Sequence, residues 1–289
     1  MKVIIFNYNL PSEADEIYKK LITDGFQQKD LFLVDNGSDK APKSIHTNLQ
    51  LPYNVRFTGQ AFMALTYLLS FPIDKTEHYI LITTSAKLYD DINYHEESIK
   101  ACDYIDRNNC GFVCASMTGG MTEINANEQL YSRLTSDYTP IFNYQPIFMV
   151  IGKGLLKACQ SESAAYFNLS LIRGWGIDRE LHYLAVKNKM LPHVSRSLHI
   201  EWVTNQTHRK NMADESRSDY HTQAEIEMIK VLSKKYGIDW STKFKNEYLL
   251  LSNEEQTTKK IKIITFGKYF LTKLNLYGLI RKVMVKYND

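Results

Sequence analysis

Short apolar runs alternate with segments of helical periodicity in the first half of the chain. The apolar runs are rich in β-branched and aromatic residues and predict buried strands at 2–8, 31–34, 79–83 and 111–116. Between them, apolar residues at steps of three or four predict helices at 12–25, 60–70 and 94–108. Strands without polar alternation, separated by amphipathic helices, are typical of a parallel sheet covered on both faces. The predicted fold class is therefore α/β: a Rossmann-like, mostly parallel sheet flanked by helices.

The second half of the chain is more polar and ends in a helical extension. It predicts a strand at 145–151, a helix at 154–159, and a second helix in the later part of 175–188. Residues 204–223 are polar and predict a mobile loop, and 224–236 predict a helix that stops at Gly237. The expected organisation is a domain at 1–203, a mobile loop at 204–223 and a C-terminal helical region at 224–289.

Composition fits an ordinary soluble protein, with 289 residues, 44% hydrophobic and 23% charged. The net charge of +3 is unevenly distributed, because residues 259–289 hold eight Lys and Arg against Asp289 alone. That segment carries +7 and leaves −4 for the rest. A mildly acidic body argues against a nucleic-acid partner, whose phosphates need a basic groove across the fold.

The basic C-terminal tail has two interpretations. Its lysines alternate with apolar residues over 259–288, which suits a helix lying on the anionic inner leaflet of the cell membrane. The same pattern suits an amphipathic helix packed on the protein's own core or on a second subunit. The N-terminal apolar run is too short for a signal-peptide core, so a cytoplasmic protein, peripheral at the inner membrane face in the first interpretation, is expected.

Candidate chemistry starts where the second predicted strand ends, because open α/β sheets bind ligands beyond the carboxyl ends of their strands. The sequence there is VDNGSD at 34–39. Asp35 can accept hydrogen bonds from a nucleobase or ribose, and Gly37 lets the backbone come close. An isolated DNGSD segment is equally suited to a plain Asx turn.

Three segments together resemble family 2 glycosyltransferases of the GT-A fold, in particular rhamnosyltransferase-like members. They are LFLVDNGSD at 31–39, NVRFTGQ at 54–60 and GWGIDREL at 174–181, in the expected order, and the likeness covers roughly 2–202. The resemblance implies an inverting enzyme. Such an enzyme would transfer a sugar from a nucleotide-diphosphate sugar to a glycan or lipid-linked acceptor, in bacterial surface polysaccharide or lipopolysaccharide synthesis.

The resemblance also implies where the donor binds. Asp35 would contact the base, and Gly59 and its neighbours would lie beside the ribose and diphosphate. The residues expected to line the donor site are Asn7, Asn9, Asp35, Asn36, Arg56, Gly59, Thr84, Ser85 and Lys87. Arg56 stands where a glycine is usual, and its guanidinium either pairs with the diphosphate or faces solvent.

The metal segment departs from the family pattern. A typical member has Asp-x-Asp after the strand that ends here at Thr83, and those carboxylates hold Mg²⁺ or Mn²⁺. This chain has TTSAK at 83–87, so its use of a divalent metal is in doubt and its ligands are unknown. Lys87 could replace the cation, or Asp90 and Asp91 could supply displaced ligands; the latter two equally suit a charge pair before a helix.

The resemblance implies an acceptor site around the third segment. Asp178 would be the general base that takes the proton of the acceptor hydroxyl. Trp175 could form a wall for a sugar ring, with Glu180 nearby and His199 reaching the diphosphate. Without the resemblance, Asp178 and Glu180 are simply acidic residues in the first turn of a helix, and His199 is a structural histidine.

Two rival functions follow from the same residues. The missing Asp-x-Asp also suits a glycosyltransferase-like binding or regulatory protein that has lost catalysis. A nucleotidyltransferase would need a Gly-rich phosphate loop near the N-terminus, and residues 2–11 contain none.

Overall fold

The computed structural model describes residues 1–70, 77–118, 137–142, 144–163, 168–203 and 217–255. The chain separates into two compact units, Met1–Phe244 and Lys245–Asp289. The candidate donor and acceptor residues all belong to the first unit. The predicted membrane-surface helix at 259–288 lies outside the described residues, and no described helix is long and apolar enough to cross a membrane.

The described strands are short, and those at the centre of the sheet are buried along all or nearly all of their length. They are β1 (Lys2–Asn7), β2 (Leu31–Asp35), β3 (Thr47–Gln50), β4 (Tyr79–Thr83), β5 (Ala86–Leu88), β6 (Phe112–Thr118), β7 (Tyr138–Pro140), β8 (Phe148–Ile151) and β9 (His193–Trp202). The described helices are α1 (Pro11–Thr23), α2 (Arg56–Ser70), α3 (Tyr94–Asn108), α4 (Lys153–Ser163), α5 (Ile177–Lys187), α6 (Arg217–Tyr236) and α7 (Trp240–Glu255).

These strands form one sheet in the order β3-β2-β1-β4-β8-β6-β9-β5, with β7 also paired to β9. The strands β3, β2, β1 and β4 are parallel, and β8 is antiparallel to both of its neighbours. As a result, six of the nine described strands run in one direction, as the mostly parallel prediction requires. The chain leaves β1 toward β2 but returns through α2 to β4 on the other side of β1. Open α/β sheets usually bind ligands at such a reversal, beyond the carboxyl ends of the strands, which here are β1 and β4.

Side-chain alternation along the central strands builds two separate cores. In β1, Val3 and Ile5 face a core shared with α1 and α3, whereas Ile4 and Phe6 face one shared with α2, α4 and α5. These four side chains are almost completely buried. Each buried aliphatic side chain contributes roughly 1.5–3 kcal/mol, so both helix layers are firmly attached to the sheet.

The predicted elements of the first half are confirmed, with differences at their ends. Helix α2 begins at Arg56 rather than at residue 60, and α6 begins at Arg217, inside the segment predicted as a loop. Residues 204–216 of that predicted loop lie outside the described residues. Sequence periodicity missed β3, β5, β7 and β9. β3 alternates between exposed and half-buried positions without an apolar stripe, and β9 carries polar residues throughout its length.

Strand β9 contains an irregularity that sets the direction of its second half. Ser195 pairs with Ala115 of β6, but the next residue of β6, Ser116, pairs with His199. The extra residues 196–198 form a bulge whose Leu198 N–H donates to Ser195 Oγ at 3.1 Å. A bulge of this kind re-aims the side chains that follow it, and here it brings His199 opposite Ser116.

The burial of β4 predicts a large stability cost for truncation at its centre. Leu81 is completely buried, so Leu81→Ala is expected to lower the free energy of unfolding by about 2–5 kcal/mol. Ile99→Ala, at a position 44% exposed on α3, should change it by less than about 0.5 kcal/mol. Urea unfolding followed by circular dichroism measures both, and equal losses would contradict the described packing.

Candidate functional site

Asp35, at the carboxyl end of β2, is a completely buried carboxylate. It accepts hydrogen bonds from Asn7 Nδ2 at 2.9 Å, from the Ser38 N–H at 2.8 Å and from Ser38 Oγ at 2.7 Å. These bonds replace the lost water and join the ends of β1 and β2 to the turn that follows. A carboxylate offers about four acceptor positions, and internal hydrogen bonds fill three of them here.

Asn9 fixes the far side of the same turn. Its side-chain oxygen accepts from the N–H groups of Asp39 and Lys40, both at 3.0 Å, and its Nδ2 donates to Asp39 Oδ1 at 2.9 Å. Gly37 has φ +67, and a Cβ there would lie 2.4 Å from the Tyr53 carbonyl carbon. The turn at 37–40 therefore requires glycine at its first position.

Asn36 connects this turn to the beginning of α2. Its Nδ2 donates to Asn54 Oδ1 at 2.9 Å and its Oδ1 accepts from the Val55 N–H at 2.9 Å. Asn54 Oδ1 also accepts from the Arg56 N–H at 2.8 Å. Arg56 has φ +62, a conformation that costs a non-glycine residue about 1–2 kcal/mol. The bonds from Asn36 and Asn54 hold Arg56 in that strained position.

Sequence reasoning missed Gln60 of α2, whose side chain also belongs to this hydrogen-bonded network. It is buried, and its Nε2 donates to the carbonyl oxygens of Asn7 at 3.3 Å and Val34 at 3.1 Å. Gln60 was visible in the sequence as a polar residue in the apolar stripe of a predicted helix, and Gly59 precedes it. A Cβ on Gly59 would lie 2.8 Å from Val55 Cβ, so glycine at this position lets the first turn of α2 pack closely on Val55.

The third sequence segment packs against the beginning of α2. Gly174 has φ +82, and a Cβ there would lie 3.0 Å from the Phe57 nitrogen and 3.3 Å from Arg56 Cβ. Gly176 has φ +90 and packs against Met228 of α6, where a Cβ would lie 2.5 Å from Met228 Cγ. Both glycines are required by positive φ and by close contact. The turn before α5 is thus held between α2 and α6.

Asp178 lies in the first turn of α5, directly after this turn. Its side chain is 20% exposed. Burial raises the pKa of the Asp178 carboxyl above its ordinary value, and Arg179, whose Nε lies 4.0 Å away, and backbone N–H groups oppose the shift. The Tyr144 hydroxyl donates to the Asp178 carbonyl oxygen at 2.7 Å and fixes the backbone here. A partly exposed carboxylate with a raised pKa suits general-base chemistry.

Glu180, by contrast, is enclosed by side chains of α6. Its Oε1 accepts from Lys235 Nζ at 2.8 Å, from the Tyr236 hydroxyl at 2.7 Å and from Asn168 Nδ2 at 3.3 Å. Only 4% of the Glu180 side chain is exposed. The structure therefore gives Glu180 an anchoring position between α5 and α6.

Trp175 and His199 occupy different surroundings. Trp175 is 37% exposed, and its ring lies 4.7 Å from that of His221. His199 is buried in β9, where its Nδ1 lies 2.9 Å from Ser116 Oγ and its ring stacks on Tyr89. Burial lowers the pKa of His199, so at neutral pH this imidazole is uncharged and brings no positive charge to a diphosphate.

In the segment after β4, Thr84 contacts β1 next to the network, whereas Lys87 pairs with β9. The Thr84 N–H donates to the Phe6 carbonyl oxygen at 3.0 Å, next to Asn7, and Ser85 follows at a half-buried position. Thr83 Oγ1 is buried without a hydrogen bond to any described group. Lys87 Nζ pairs with Glu201 Oε2 of β9 at 2.9 Å, and Glu201 raises the pKa of Lys87.

The structure is similar to solved structures at low sequence identity. S. aureus TarS 1-349 in complex with UDP-GlcNAc has a TM-score of 0.53 and 13% identity, covering 88% of this chain and 73% of that one. A longer S. aureus TarS has a TM-score of 0.51 and 15% identity, covering 88% of this chain and 44% of that one. The chain thus spans less than half the length of that protein.

A mannosyltransferase from Pyrobaculum calidifontis, in complex with GDP-Man and Mn²⁺, has a TM-score of 0.48 and 12% identity, covering 99% of this chain and 86% of that one. The sequence matches no protein-family model and no curated protein. The fold of this chain is therefore compared with the two TarS structures, which have a GT-A-type core.

The chain has the GT-A fold.

This confirms the predicted fold class, a mostly parallel α/β sheet of the GT-A type. In the GT-A fold of this chain, the network of Asn7, Asn9, Asp35, Asn36 and Arg56 lies at the carboxyl edge of β1 and β2. Thr84 is linked to that network by its hydrogen bond to the Phe6 carbonyl oxygen of β1.

The segment that follows β4 does not fit a divalent cation. Thr83, Thr84 and Ser85 offer hydroxyls, and the ionisable side chain of the segment is the Lys87 ammonium. Among the described residues, no group of three His, Cys, Asp or Glu side chains could hold a metal ion. Asp90 and Asp91 are exposed and precede Asn93, whose Oδ1 caps α3 by accepting from the Glu96 N–H. The acidic residues in the first turn of α3 are Glu96 and Glu97. Among the described residues, no contact supports Asp90 and Asp91 either as displaced metal ligands or as a charge pair at the start of this helix.

The contacts that anchor Glu180 predict that its substitution lowers the stability of the fold and not only the activity. Glu180→Ala removes the acceptor shared by Lys235 and Tyr236 and should lower the free energy of unfolding by about 2 kcal/mol. Glu180→Gln keeps an acceptor and should lose less. Glu225→Ala, on the exposed surface of α6, should change stability by less than about 0.5 kcal/mol. Chemical unfolding measures all three; a stable Glu180→Ala protein would contradict the anchoring position.

Proposed function

We propose that the protein is a glycosyltransferase that transfers a sugar from a nucleotide-diphosphate sugar to a glycan acceptor with inversion at the anomeric carbon. The observation that carries the proposal is the contact of Gly174 with Arg56 and Phe57. This contact joins the polar network at the ends of β1 and β2 to the turn that presents Asp178. In a GT-A fold, a nucleotide-sugar subsite and a carboxylate with a raised pKa then share one crevice.

In this proposal the network at the strand ends binds the nucleotide. Asp35, buried in the free protein, would accept from a base or ribose N–H or O–H at its fourth acceptor position once binding uncovers it, and Asn7, Asn9 and Asn36 fix the turns around it. Because these turns are already hydrogen-bonded, little conformational entropy is lost when the nucleotide binds. TarS 1-349 was solved with UDP-GlcNAc and with UDP, which supports a nucleotide-sugar donor here.

Asp178 would act as the general base. Its carboxylate takes the proton of the acceptor hydroxyl while the hydroxyl oxygen attacks the anomeric carbon. The bond from that carbon to the diphosphate oxygen breaks, and the nucleoside diphosphate leaves with the bonding electrons. Attack opposite the leaving group inverts the configuration. The exposed Trp175 ring, three residues before Asp178, would offer an apolar wall to the acceptor or donor sugar.

The acceptor class and location also remain part of the proposal. A glycan or lipid-linked acceptor of bacterial surface polysaccharide or lipopolysaccharide synthesis follows from the resemblance to rhamnosyltransferase-like family 2 members. Contact of 259–288 with an anionic inner leaflet would bring the enzyme to a lipid-linked acceptor.

The raised pKa of Asp178 predicts a specific pH dependence. A general base works only when deprotonated, so kcat/KM should fall as pH is lowered through the Asp178 pKa. Burial raises that pKa, so the fall should occur at a pH above the ordinary aspartate value of 3.8. Rates measured from pH 4 to 8 with the best donor test this; a rate that stays constant down to pH 4 would contradict a general-base role for Asp178.

The decisive experiment is a transfer assay with a panel of UDP-, GDP- and dTDP-sugars, each with Mn²⁺, with Mg²⁺ and with EDTA. Wild type should transfer sugar in EDTA, because the segment after β4 offers no metal ligands. Asp178→Asn keeps the shape of the side chain but cannot take a proton, so it should lose at least about 100-fold in kcat. Asp103→Asn, exposed and paired with Arg107 on α3, is the matched control and should keep wild-type turnover.

The absence of an Asp-x-Asp segment favours one second candidate, a binding or regulatory protein with the same fold. That protein would bind the nucleotide but transfer no sugar with any donor or metal. Such a result would replace the enzymatic proposal.

A further inference from the structure

Thr83, the last residue of β4, has a hydroxyl without a hydrogen-bond partner. Its Oγ1 is buried and bonds to no described group, and a buried hydroxyl left unpaired costs free energy. The hydroxyls of Thr58 in α2 and Ser98 in α3 are also buried without a described partner. On a helix, however, a small rotation brings such a hydroxyl to the carbonyl oxygen of the preceding turn. A strand offers no such local acceptor, so the Thr83 hydroxyl requires a partner from elsewhere.

The alternation of side chains along β4 shows which face of the sheet Thr83 occupies. Leu81 belongs to the core shared with α2, α4 and α5, whereas Ile82 belongs to the core shared with α1 and α3. Thr83 therefore lies on the same face as Leu81, and its strand partner Phe6 belongs to that core too. Unlike Leu81, Thr83 is only half-buried, so it lies where this core meets the surface.

On the donor side, Thr83 lies two strands away from Asp35. Strand β1 separates them, because Thr83 pairs with Phe6, and the next residue, Asn7, pairs with Asp35. Adjacent strands are about 4.8 Å apart, which puts the ends of β2 and β4 roughly 10 Å from each other. The ribose and diphosphate of a nucleotide sugar span such a distance. The sugar of a donor whose base contacts Asp35 thus comes to the region of Thr83.

On the acceptor side, Thr83 is attached to the segment that supports Asp178. The Thr83 N–H donates to the Ile147 carbonyl oxygen at 2.9 Å. Three residues before Ile147, the Tyr144 hydroxyl donates to the Asp178 carbonyl oxygen at 2.7 Å. In the proposed reaction the acceptor hydroxyl that Asp178 deprotonates attacks the anomeric carbon, so the donor sugar must lie between Asp178 and the nucleotide.

We propose that the Thr83 hydroxyl binds a hydroxyl group of the donor sugar and thereby selects among nucleotide sugars. This deepens the proposed function and rests on it, because the ligand is the donor of that reaction. A sugar hydroxyl both donates and accepts hydrogen bonds, as the threonine hydroxyl does, so either group can be the donor. Rotation about the Thr83 Cα–Cβ bond turns the hydroxyl toward the end of the strand when the donor binds. A sugar that lacks this hydroxyl, or has it in the other configuration, leaves Thr83 unpaired and binds more weakly.

Thr83→Val separates a ligand contact from a structural one, because valine has nearly the same shape and cannot form a hydrogen bond. Since the hydroxyl has no described internal partner, Thr83→Val should unfold at the wild-type temperature or above it. Titration calorimetry of the full chain with UDP-GlcNAc, UDP-Glc, UDP-Gal and GDP-Man, and with UDP and GDP alone, measures the ligand contact. The variant should lose about tenfold in affinity for the nucleotide sugar that wild type prefers, and it should bind the matching nucleoside diphosphate as wild type does.

Two further variants serve as controls. Thr83→Ser keeps the hydroxyl and should retain the wild-type preference among the sugars. Thr23→Val removes a hydroxyl that already has a partner, since Thr23 Oγ1 donates to the Lys19 carbonyl oxygen at 3.0 Å on the exposed surface of α1. It should bind every nucleotide and nucleotide sugar as wild type does.

Four results would overturn the Thr83 contact. Unchanged affinity for the preferred nucleotide sugar in Thr83→Val would show that the hydroxyl binds no ligand. An equal loss for the nucleotide sugar and the nucleoside diphosphate would assign the hydroxyl to the diphosphate instead. A lower unfolding temperature, with weaker binding of every ligand, would show a structural role. A wild-type protein that binds none of the nucleotide sugars would overturn both the contact and the proposed donor.

The contact and the proposed enzymatic function fail in distinguishable ways. Thr83-dependent binding of one sugar in a protein that transfers none would support the contact and contradict the enzymatic proposal. Sugar transfer by Thr83→Val with the wild-type rate and the wild-type donor preference would support the enzyme and overturn the contact.

Discussion

The buried charge of Asp35 is the constraint around which the candidate site is built. A carboxylate taken completely out of water is stable only when hydrogen-bonded, and here Asn7 and Ser38 meet that need. The same bonds set the distance between the ends of β1 and β2 and the course of the next turn. Asn36 then links this turn by hydrogen bonds to the beginning of α2, and Gly174 packs the beginning of α2 against the turn before α5. One desolvated charge thereby orders four separate segments of the chain.

The fold was largely predictable from sequence, because the strands of the first half are continuous apolar runs and their helices have regular periodicity. β9 was not, since its polar residues serve a bulge and pair with a neighbouring strand far away in sequence. Of the candidate site, the DNGSD turn and Asp178 were recognisable from the resemblance of their segments to family 2 glycosyltransferases. The resemblance places Glu180 in the acceptor site, and no local spacing shows that its partners Lys235 and Tyr236 lie on a distant helix. Only tertiary structure brings such partners together.

The residues that follow β4 differ from the metal-binding carboxylates that the sequence resemblance implies. The position after β4 that would hold carboxylates has hydroxyls, and its lysine is paired across the β5–β9 edge. Arg56 lies instead at the beginning of α2, where it packs against the turn before α5. Arginine at 56 thus replaces a glycine in spite of its backbone conformation, and the strain is supported by Asn54.

The turns of the candidate site share an unusual feature in their backbone N–H groups. Those of Ser38, Asp39, Lys40, Val55 and Arg56 all donate to the side chains of Asp35 or of the asparagines Asn9, Asn36 and Asn54. Loops normally exchange their amide hydrogens quickly because water reaches them. These loops instead have the internal bonding of a strand without belonging to one. Slow deuterium uptake would therefore extend past the ends of β1 and β2 and trace the outline of the site in the free protein.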